Sequence, residues 1–116
     1  MTGGSGFLGI NLVRRLLARG DEVVSLDRKP FDYPERARVA EVRGDIRRRE
    51  DVVRAAHGCD VVVHAAAALP LYPADEIHTI DVEGTRTVLE VARSAGAGRV
   101  VHLSSTAVYG DRKSVV

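Results

Sequence analysis

A glycine-rich turn at the start of the chain is the first place where residue types and spacing indicate chemistry. Gly3, Gly6 and Gly9 recur at regular intervals and lead into an amphipathic pattern over residues 10–20. Glycines let the backbone approach a ligand closely, and the N–H groups at the start of a helix suit a phosphate. An acid, Asp27, ends the next apolar run. Turn, helix, strand and terminal acid together predict a dinucleotide-binding site.

The three glycines have different predicted roles. Gly3 would permit the tight bend into the helix, Gly6 would let a pyrophosphate lie against the backbone, and Gly9 would let helix and sheet pack closely. A phosphate loop of nucleotide triphosphatases requires Gly-Lys followed by Ser or Thr, and Ile10-Asn11 after Gly9 excludes it. A tight turn that holds no ligand remains the alternative.

The acid and its neighbour bear on the choice of cofactor. Asp27 can accept both hydroxyls of an adenosine ribose and would repel a 2′-phosphate, which favours NAD over NADP. Arg28 follows directly, and an arginine can accommodate the 2′-phosphate, so NADP stays open as the second choice. The alternative role of Asp27 is to cap a turn.

The elements that position these residues alternate between helical and strand patterns. Buried strands separated by helices predict an α/β fold, a Rossmann-type doubly wound parallel sheet, in one domain over residues 1–116. Lys29–Arg38 is polar and predicts a surface loop. The predicted helices lie at about Gly6–Arg19, within Asp45–Ala56 and at Glu76–Ala95, and the predicted strands at Glu22–Asp27, Val39–Arg43, Asp60–Ala65 and Arg99–Leu103.

Composition narrows the class of protein. The chain has 116 residues, 45% of them hydrophobic, and a formal net charge of +1, which gives no long-range attraction to nucleic acid or an anionic membrane. The single cysteine, Cys59, excludes an internal disulfide and favours a reducing, cytoplasmic compartment. No secretion signal, membrane span or metal site is predicted, and the four histidines form no motif.

Four segments in order resemble the extended short-chain dehydrogenase/reductase family, in particular the NAD-dependent epimerase/dehydratase group that acts on nucleotide sugars. The resemblance covers nearly the whole chain. The matching segments are the turn Thr2–Gly9, the adenine-side acid in Gly44–Ile46, the strand end Val63–Ala66, and the Ser-Ser-x-x-Val-Tyr-Gly segment Ser104–Gly110.

The resemblance implies a role for each matching residue. It places Ser104 near the nicotinamide ribose and gives Ser105 the catalytic role of polarising the reacting oxygen of the substrate, whereas the plain alternative for both serines is strand-end capping. The remaining residues implied to hold the cofactor are Gly3, Gly6, Phe7 and Leu8 at the pyrophosphate, Asp27 and Arg28 at the adenosine ribose, Asp45 and Ile46 at the adenine, and Ala65 and Ala66 under its middle.

The chain departs from the family pattern at the start of the middle helix and at the catalytic tyrosine and lysine. Asp81 stands where the family has an asparagine at the start of its middle helix, so an amide donor is lost. The family's Tyr-x-x-x-Lys pair belongs to a helix beyond Val116. Tyr109 and Lys113 have the spacing by coincidence, because Gly110 disfavours a helix there.

The first strand of the fold is also absent before the glycine turn. In the sheet order 3-2-1-4-5 that strand is central, so its neighbours would be Glu22–Asp27 and Asp60–Ala65. We therefore expect a gapped, marginally stable sheet and a chain that is inactive alone. The resemblance implies a parent enzyme that acts on a nucleotide sugar and can form a homodimer. A non-catalytic NAD(P)-binding regulatory module and a non-functional remnant are the alternatives.

Overall fold

Four parallel strands form the sheet, two on each side of the first residues of the chain. The computed structural model describes residues 1–110, so Lys113 of the predicted coincidental pair lies outside it. Strands β1 (Val23–Asp27) and β2 (Val39–Arg43) pair in parallel, as do β3 (Val61–His64) and β4 (Arg99–His102). The α-helices are α1 (Phe7–Ala18), α2 (Arg49–Ala56), α3 (Ala74–His78) and α4 (Thr85–Ser94).

Thr2 joins the two strand pairs at the centre of the sheet. It bridges Leu26 of β1 and His64 of β3, both in parallel. Its N–H donates to the Val63 carbonyl at 2.9 Å, and the Gly3 N–H donates to the Leu26 carbonyl at 3.0 Å. The spatial order is therefore β2, β1, Thr2, β3, β4. This order confirms the predicted Rossmann-type fold and the predicted neighbours of its central position.

Helices cover both faces of the sheet at β1, whereas one face of β3 and β4 is half exposed at Val61 and Val101. Helix α1 packs on one face around a core of buried residues, and α2 and α4 pack on the other. The α1 core consists of Ile10, Val13, Leu17, Val23, Phe31 and Val39, and the opposite core includes Leu26, Ile46, Val52, Val62, Ile80, Val88 and Val91. Covering on both faces explains why β1 is apolar with little alternation, whereas β2 carries exposed charged residues at Glu41 and Arg43.

The segment predicted as a polar surface loop is partly buried. Phe31 is only 1% exposed and completes the α1 core, where its ring meets Tyr33 edge-to-face with centroids 5.2 Å apart. Pro34–Arg38 forms a 3₁₀ helix leading into β2. Phe31 and Tyr33 alone in a charged stretch form no extended periodic pattern, so the sequence did not indicate the burial of Phe31.

The long predicted helix consists of three consecutive segments. Between α3 and α4, residues Thr79–Gly84 form a π-helix. The Ile46 side chain lies 2.6 Å from where a Cβ on Gly84 would be, so this glycine provides the room in which Ile46 packs. Among residues 1–110, no helix is both long and apolar enough to cross a membrane.

Candidate functional site

A cavity of about 440 Å³ lies at the carboxyl ends of the strands, beside the glycine turn. In open α/β sheets this crevice is where ligands bind. Of the predicted cofactor residues, the cavity is lined by Gly3, Gly6, Asp27, Arg28, Asp45, Ile46, Ala65 and Ala66. The structure thus brings together eight residues that the sequence analysis assigned from four separate segments.

The remaining predicted residues lie elsewhere. Phe7 and Leu8 are in the first turn of α1 with exposed side chains. Ser104 and Ser105 follow β4 and are also exposed, and none of these four is among the residues lining the cavity. The Ser105 hydroxyl accepts the Ala107 N–H at 3.1 Å and so caps the 3₁₀ helix Thr106–Tyr109. Its catalytic role stays a prediction.

The glycine turn is held tightly against the end of β3. Gly3 has φ +74°, and a Cβ on it would lie 2.9 Å from the Ala66 nitrogen. A Cβ on Gly9 would overlap the Gly3 carbonyl oxygen. These two glycines are therefore required by the packing of the protein itself.

Gly6 differs from the other two glycines. Its backbone is extended, with φ −83° and ψ 177°, which any residue can adopt. Within residues 1–110, the nearest atom to a Cβ built on it is the Gly3 carbonyl oxygen at 3.5 Å, an ordinary contact distance. Gly6 also lines the cavity and is the N-cap of α1, where no side chain accepts a helix N–H within the described residues. The geometry leaves room for an anion at this helix end.

Ser5 anchors the turn to the segment that follows β1. Its N–H donates to Asp27 Oδ2 at 3.1 Å, and its hydroxyl donates to the Lys29 carbonyl at 3.2 Å. The Tyr33 hydroxyl donates to the Ser5 carbonyl at 2.7 Å. These three hydrogen bonds of Ser5, two donated and one accepted, fix the turn relative to the Asp27 carboxylate at the end of β1.

Asp27 is oriented by two backbone donors. Besides the Ser5 N–H on Oδ2, its Oδ1 accepts the Lys29 N–H at 2.9 Å. A carboxylate has about four lone-pair positions, so two remain for ligand hydroxyls. The turn-capping role and the ribose-binding role, which were alternatives in the sequence, are therefore compatible.

Asp45 lies in a network of alternating charges at the far end of the cavity. Arg47 donates to it through Nη2 at 2.6 Å and through Nε at 3.0 and 3.1 Å. Arg28 Nε lies 3.8 Å from Asp45 Oδ2, and Arg28 Nη1 lies 3.9 Å from Glu76 Oε1. The hydrogen bond from Arg47 is the main reason that the pKa of Asp45 is lowered, and Asp45 in turn raises the pKa of Arg47.

A buried polar chain runs behind the cavity from Thr2 through His64 to Thr85. The Thr2 hydroxyl oxygen accepts the N–H groups of Ala65 and Ala66 at 3.0 and 3.1 Å, and it lies 2.6 Å from His64 Nδ1. His64 Nε2 lies 2.9 Å from the Thr85 hydroxyl of α4. Since the Thr2 oxygen already accepts two bonds, its proton goes to Nδ1, and Nε2 then carries the ring proton and donates to Thr85.

Asp81, which replaces the family's asparagine, contacts the loop after β3. Its Oδ1 accepts the Ala68 N–H at 2.9 Å from within the π-helix. An asparagine side-chain oxygen could accept the same bond, so this contact does not require a carboxylate.

Comparison with known proteins shows which family the chain belongs to. The model of the NAD dependent epimerase/dehydratase family matches residues 1–115. The chain belongs to this family. It therefore shares the family's fold.

Relatives differ in their names and in their ligands. A 3-beta-hydroxysteroid dehydrogenase of Mycolicibacterium neoaurum is 37% identical across all of this chain, which corresponds to 34% of the relative. A short-chain dehydrogenase/reductase superfamily protein from Agrobacterium tumefaciens, solved with bound NAD, superposes with a TM-score of 0.85 at 32% identity, covering 94% of this chain and 33% of that one. MoeE5, solved with UDP-glucose and NAD, has a TM-score of 0.82 at 34% identity, over 94% of this chain and 36% of its own. The chain thus spans about a third of these proteins.

Several residues that shape the site were missed by the sequence analysis. Ser5 and Tyr33 fix the glycine turn, and Glu76 pairs with Arg28. Leu69 and Tyr72, from the loop after β3, supply apolar lining. The aromatic residue in a polar segment was a usable signal for Tyr33. Nothing local marks Glu76, because its partner is 48 positions away and on another element.

Proposed function

We propose that this chain is the NAD-binding part of an oxidoreductase of the epimerase/dehydratase family. Residues 1–116 form one dinucleotide-binding domain in this proposal. The observation that carries it is Gly6, a glycine that faces the cavity and that the packing of the described residues does not require. A ligand lying against the backbone at the start of α1 provides the reason for a glycine at this position.

The cavity residues fit the parts of NAD in order. The N–H groups at the start of α1, at Phe7 and Leu8, take the pyrophosphate together with the Gly3–Gly6 backbone. The free lone pairs of Asp27 accept the adenosine ribose hydroxyls, beside Arg28. Asp45 and Ile46 border the adenine, and Ala65 and Ala66 lie under the middle of the cofactor, with Ser104 towards the nicotinamide ribose.

NAD supplies the redox chemistry by accepting or returning a hydride. The contribution of the chain is binding and orientation, because the anchored turn fixes the pyrophosphate relative to the ribose-binding carboxylate. Ser105 would hold the reacting oxygen of the substrate by a hydrogen bond. The family's tyrosine and lysine would have to come from outside the described residues.

The substrate is a small molecule with a hydroxyl or carbonyl group at the reacting carbon. We assign a nucleotide sugar as the first candidate, supported by the UDP-glucose bound to MoeE5. A hydroxysteroid or a similarly apolar alcohol is the second candidate, supported by the 3-beta-hydroxysteroid dehydrogenase relative. A regulatory module that binds NAD(P) without turnover is the alternative to an enzyme. We further propose a cytoplasmic location and a homodimer of the whole protein, without nucleic-acid or membrane partners.

Calorimetric titration of the 116-residue chain with NAD and with NADP tests the proposal. Gly6→Val is expected to abolish NAD binding while preserving the fold, because its backbone is extended and its surroundings are open. Gly98→Val is the matched control, since a Cβ at Gly98 meets nothing nearer than the Asp60 carbonyl oxygen at 3.7 Å. Equal NAD binding by wild type and by Gly6→Val would overturn the proposed site.

A further inference from the structure

Arg28 lies at the mouth of the cavity between two carboxylates from other elements. It follows β1, whereas Asp45 follows β2 and Glu76 belongs to α3. Its Nε is 3.8 Å from Asp45 and its Nη1 is 3.9 Å from Glu76. The two ends of the guanidinium are thus directed to different acids, and the side chain spans the space between α3 and the end of β2.

The chemistry of Arg28 conflicts with the preference set by Asp27. An arginine directly after the ribose-binding acid can pair with a 2′-phosphate and thereby admit NADP. The Arg28 side chain is 53% exposed, so it has the freedom to turn towards such a phosphate unless another group holds it. A residue that holds the Arg28 guanidinium away from the ribose 2′ position would therefore preserve the preference for NAD.

We propose that Glu76 is a cofactor-selectivity residue, which pairs with Arg28 and keeps its guanidinium away from the ribose 2′ position. Asp27 repels a 2′-phosphate, and Glu76 removes the cation that would offset this repulsion. The inference rests on the proposed NAD binding and adds a residue that does not itself line the cavity.

Glu76, rather than Asp45, is the acid that holds the Arg28 guanidinium. Asp45 is already paired with Arg47 through contacts of 2.6 to 3.1 Å, which are much shorter than its 3.8 Å approach to Arg28. The Arg47 charge therefore offsets most of the attraction of Asp45 for a second cation. Within residues 1–110, Arg28 is the cation that lies within 4.0 Å of the Glu76 carboxylate, whereas Arg47 acts on Glu76 only from farther away.

The test compares NAD and NADP affinities of the 116-residue chain and its variants by calorimetry. Glu76→Gln should lower the preference for NAD about two- to fivefold, the range expected for one partly exposed ion pair. The change should come mainly from tighter NADP binding, because NAD has no 2′-phosphate to meet Arg28. Glu83→Gln is the control, since it removes the same charge from the neighbouring π-helix at an exposed residue.

A second pair of variants separates selectivity from a structural effect. In an Arg28→Gln background, Glu76→Gln should leave the NAD to NADP ratio unchanged, because the cation that it controls is absent. An unchanged ratio for Glu76→Gln in the wild-type background, with NAD still bound, would overturn the inference and leave the proposed function intact. If the wild-type chain binds neither NAD nor NADP, both the role of Glu76 and the proposed function are overturned.

Discussion

The Thr2 hydroxyl oxygen and His64 Nδ1 are 2.6 Å apart, at the point where the glycine turn meets β3. Thr2 is 4% exposed and His64 is 1% exposed, so the bond is shielded from water. The same oxygen accepts the N–H groups of Ala65 and Ala66. His64 Nε2 in turn hydrogen-bonds the Thr85 hydroxyl. One buried polar chain thus connects the turn, the end of β3 and α4, and its protonation state matters for stability.

We predict that stability falls as His64 becomes protonated in the unfolded chain. Burial, with a smaller contribution from His102, lowers the pKa of His64 to about 4, whereas an unfolded histidine has a pKa of about 6.5. The stabilisation is fully present above pH 6.5 and is lost progressively as pH falls towards 4, by about 3 kcal/mol at most. Proton NMR titration should show His64 still neutral at pH 5.

Unfolding by urea at several pH values provides the thermodynamic check. His64→Gln should be less stable than wild type at pH 7.5, and the difference should shrink by pH 4.5. His57→Gln, at an exposed histidine, is the control. A His64 resonance that titrates near pH 6.5 would contradict the predicted lowering of its pKa.

We predict that the Thr2 hydroxyl, rather than its methyl group, holds the turn in place. Thr2→Val keeps the shape but leaves the Ala66 N–H and His64 Nδ1 without their partner, while the Ala65 N–H keeps only its 3.3 Å bond to the Thr2 carbonyl, at a cost of about 2–4 kcal/mol. Thr2→Ser keeps the hydroxyl and should cost about 1 kcal/mol or less. Urea midpoints measure both, with Thr106→Val, at an exposed threonine, as control. Equal losses for Val and Ser would show that the hydroxyl contributes little.

The Tyr33 hydroxyl is expected to stabilise the glycine turn from the side of α1. Tyr33→Phe removes its 2.7 Å bond to the Ser5 carbonyl and keeps the ring, which lies edge-to-face on Phe31. The expected loss of stability is about 1 kcal/mol. NAD affinity should fall as well, because a looser Ser5 leaves Asp27 less well oriented. If the stability and the NAD affinity of Tyr33→Phe both match wild type, the Tyr33 hydroxyl does not contribute to the site.

Sequence patterns predicted the fold and most of the cavity for a physical reason. The glycine turn, the acids at the end of β1 and after β2, and the alanines after β3 all lie at strand ends, and parallel strands bring their carboxyl ends to one edge. Motif spacing indicated Gly6 and Asp27, whereas only the family resemblance implied Asp45 and Ala66, and the strand order brings all four to that edge. Their positions depend on topology, which periodicity indicates well.

The anchoring contacts depend on side-chain geometry that periodicity does not describe. Tyr33 reaches Ser5 across 28 positions, and Glu76 reaches Arg28 across 48. Tyr33 stands out as an aromatic residue in a polar segment, but the sequence alone gives no reason to pair it with Ser5 or to pair Glu76 with Arg28. The burial of Phe31 was missed for the same reason, because Phe31 and Tyr33 among charged neighbours form no extended periodic pattern.

The negative charge of Asp81 is expected to influence the pKa of His64. Asp81 raises the pKa of His64, in opposition to burial. Asp81→Asn can keep the 2.9 Å bond from the Ala68 N–H while removing the charge, so stability at pH 7 should change by less than about 0.5 kcal/mol. The pKa of His64 should fall further in this variant.

Asp81→Ala also loses the bond and should cost about 1 kcal/mol. An NMR titration of His64 in both variants, alongside Glu83→Gln, measures the effect, and an unchanged His64 pKa would show that the charge of Asp81 does not reach the ring.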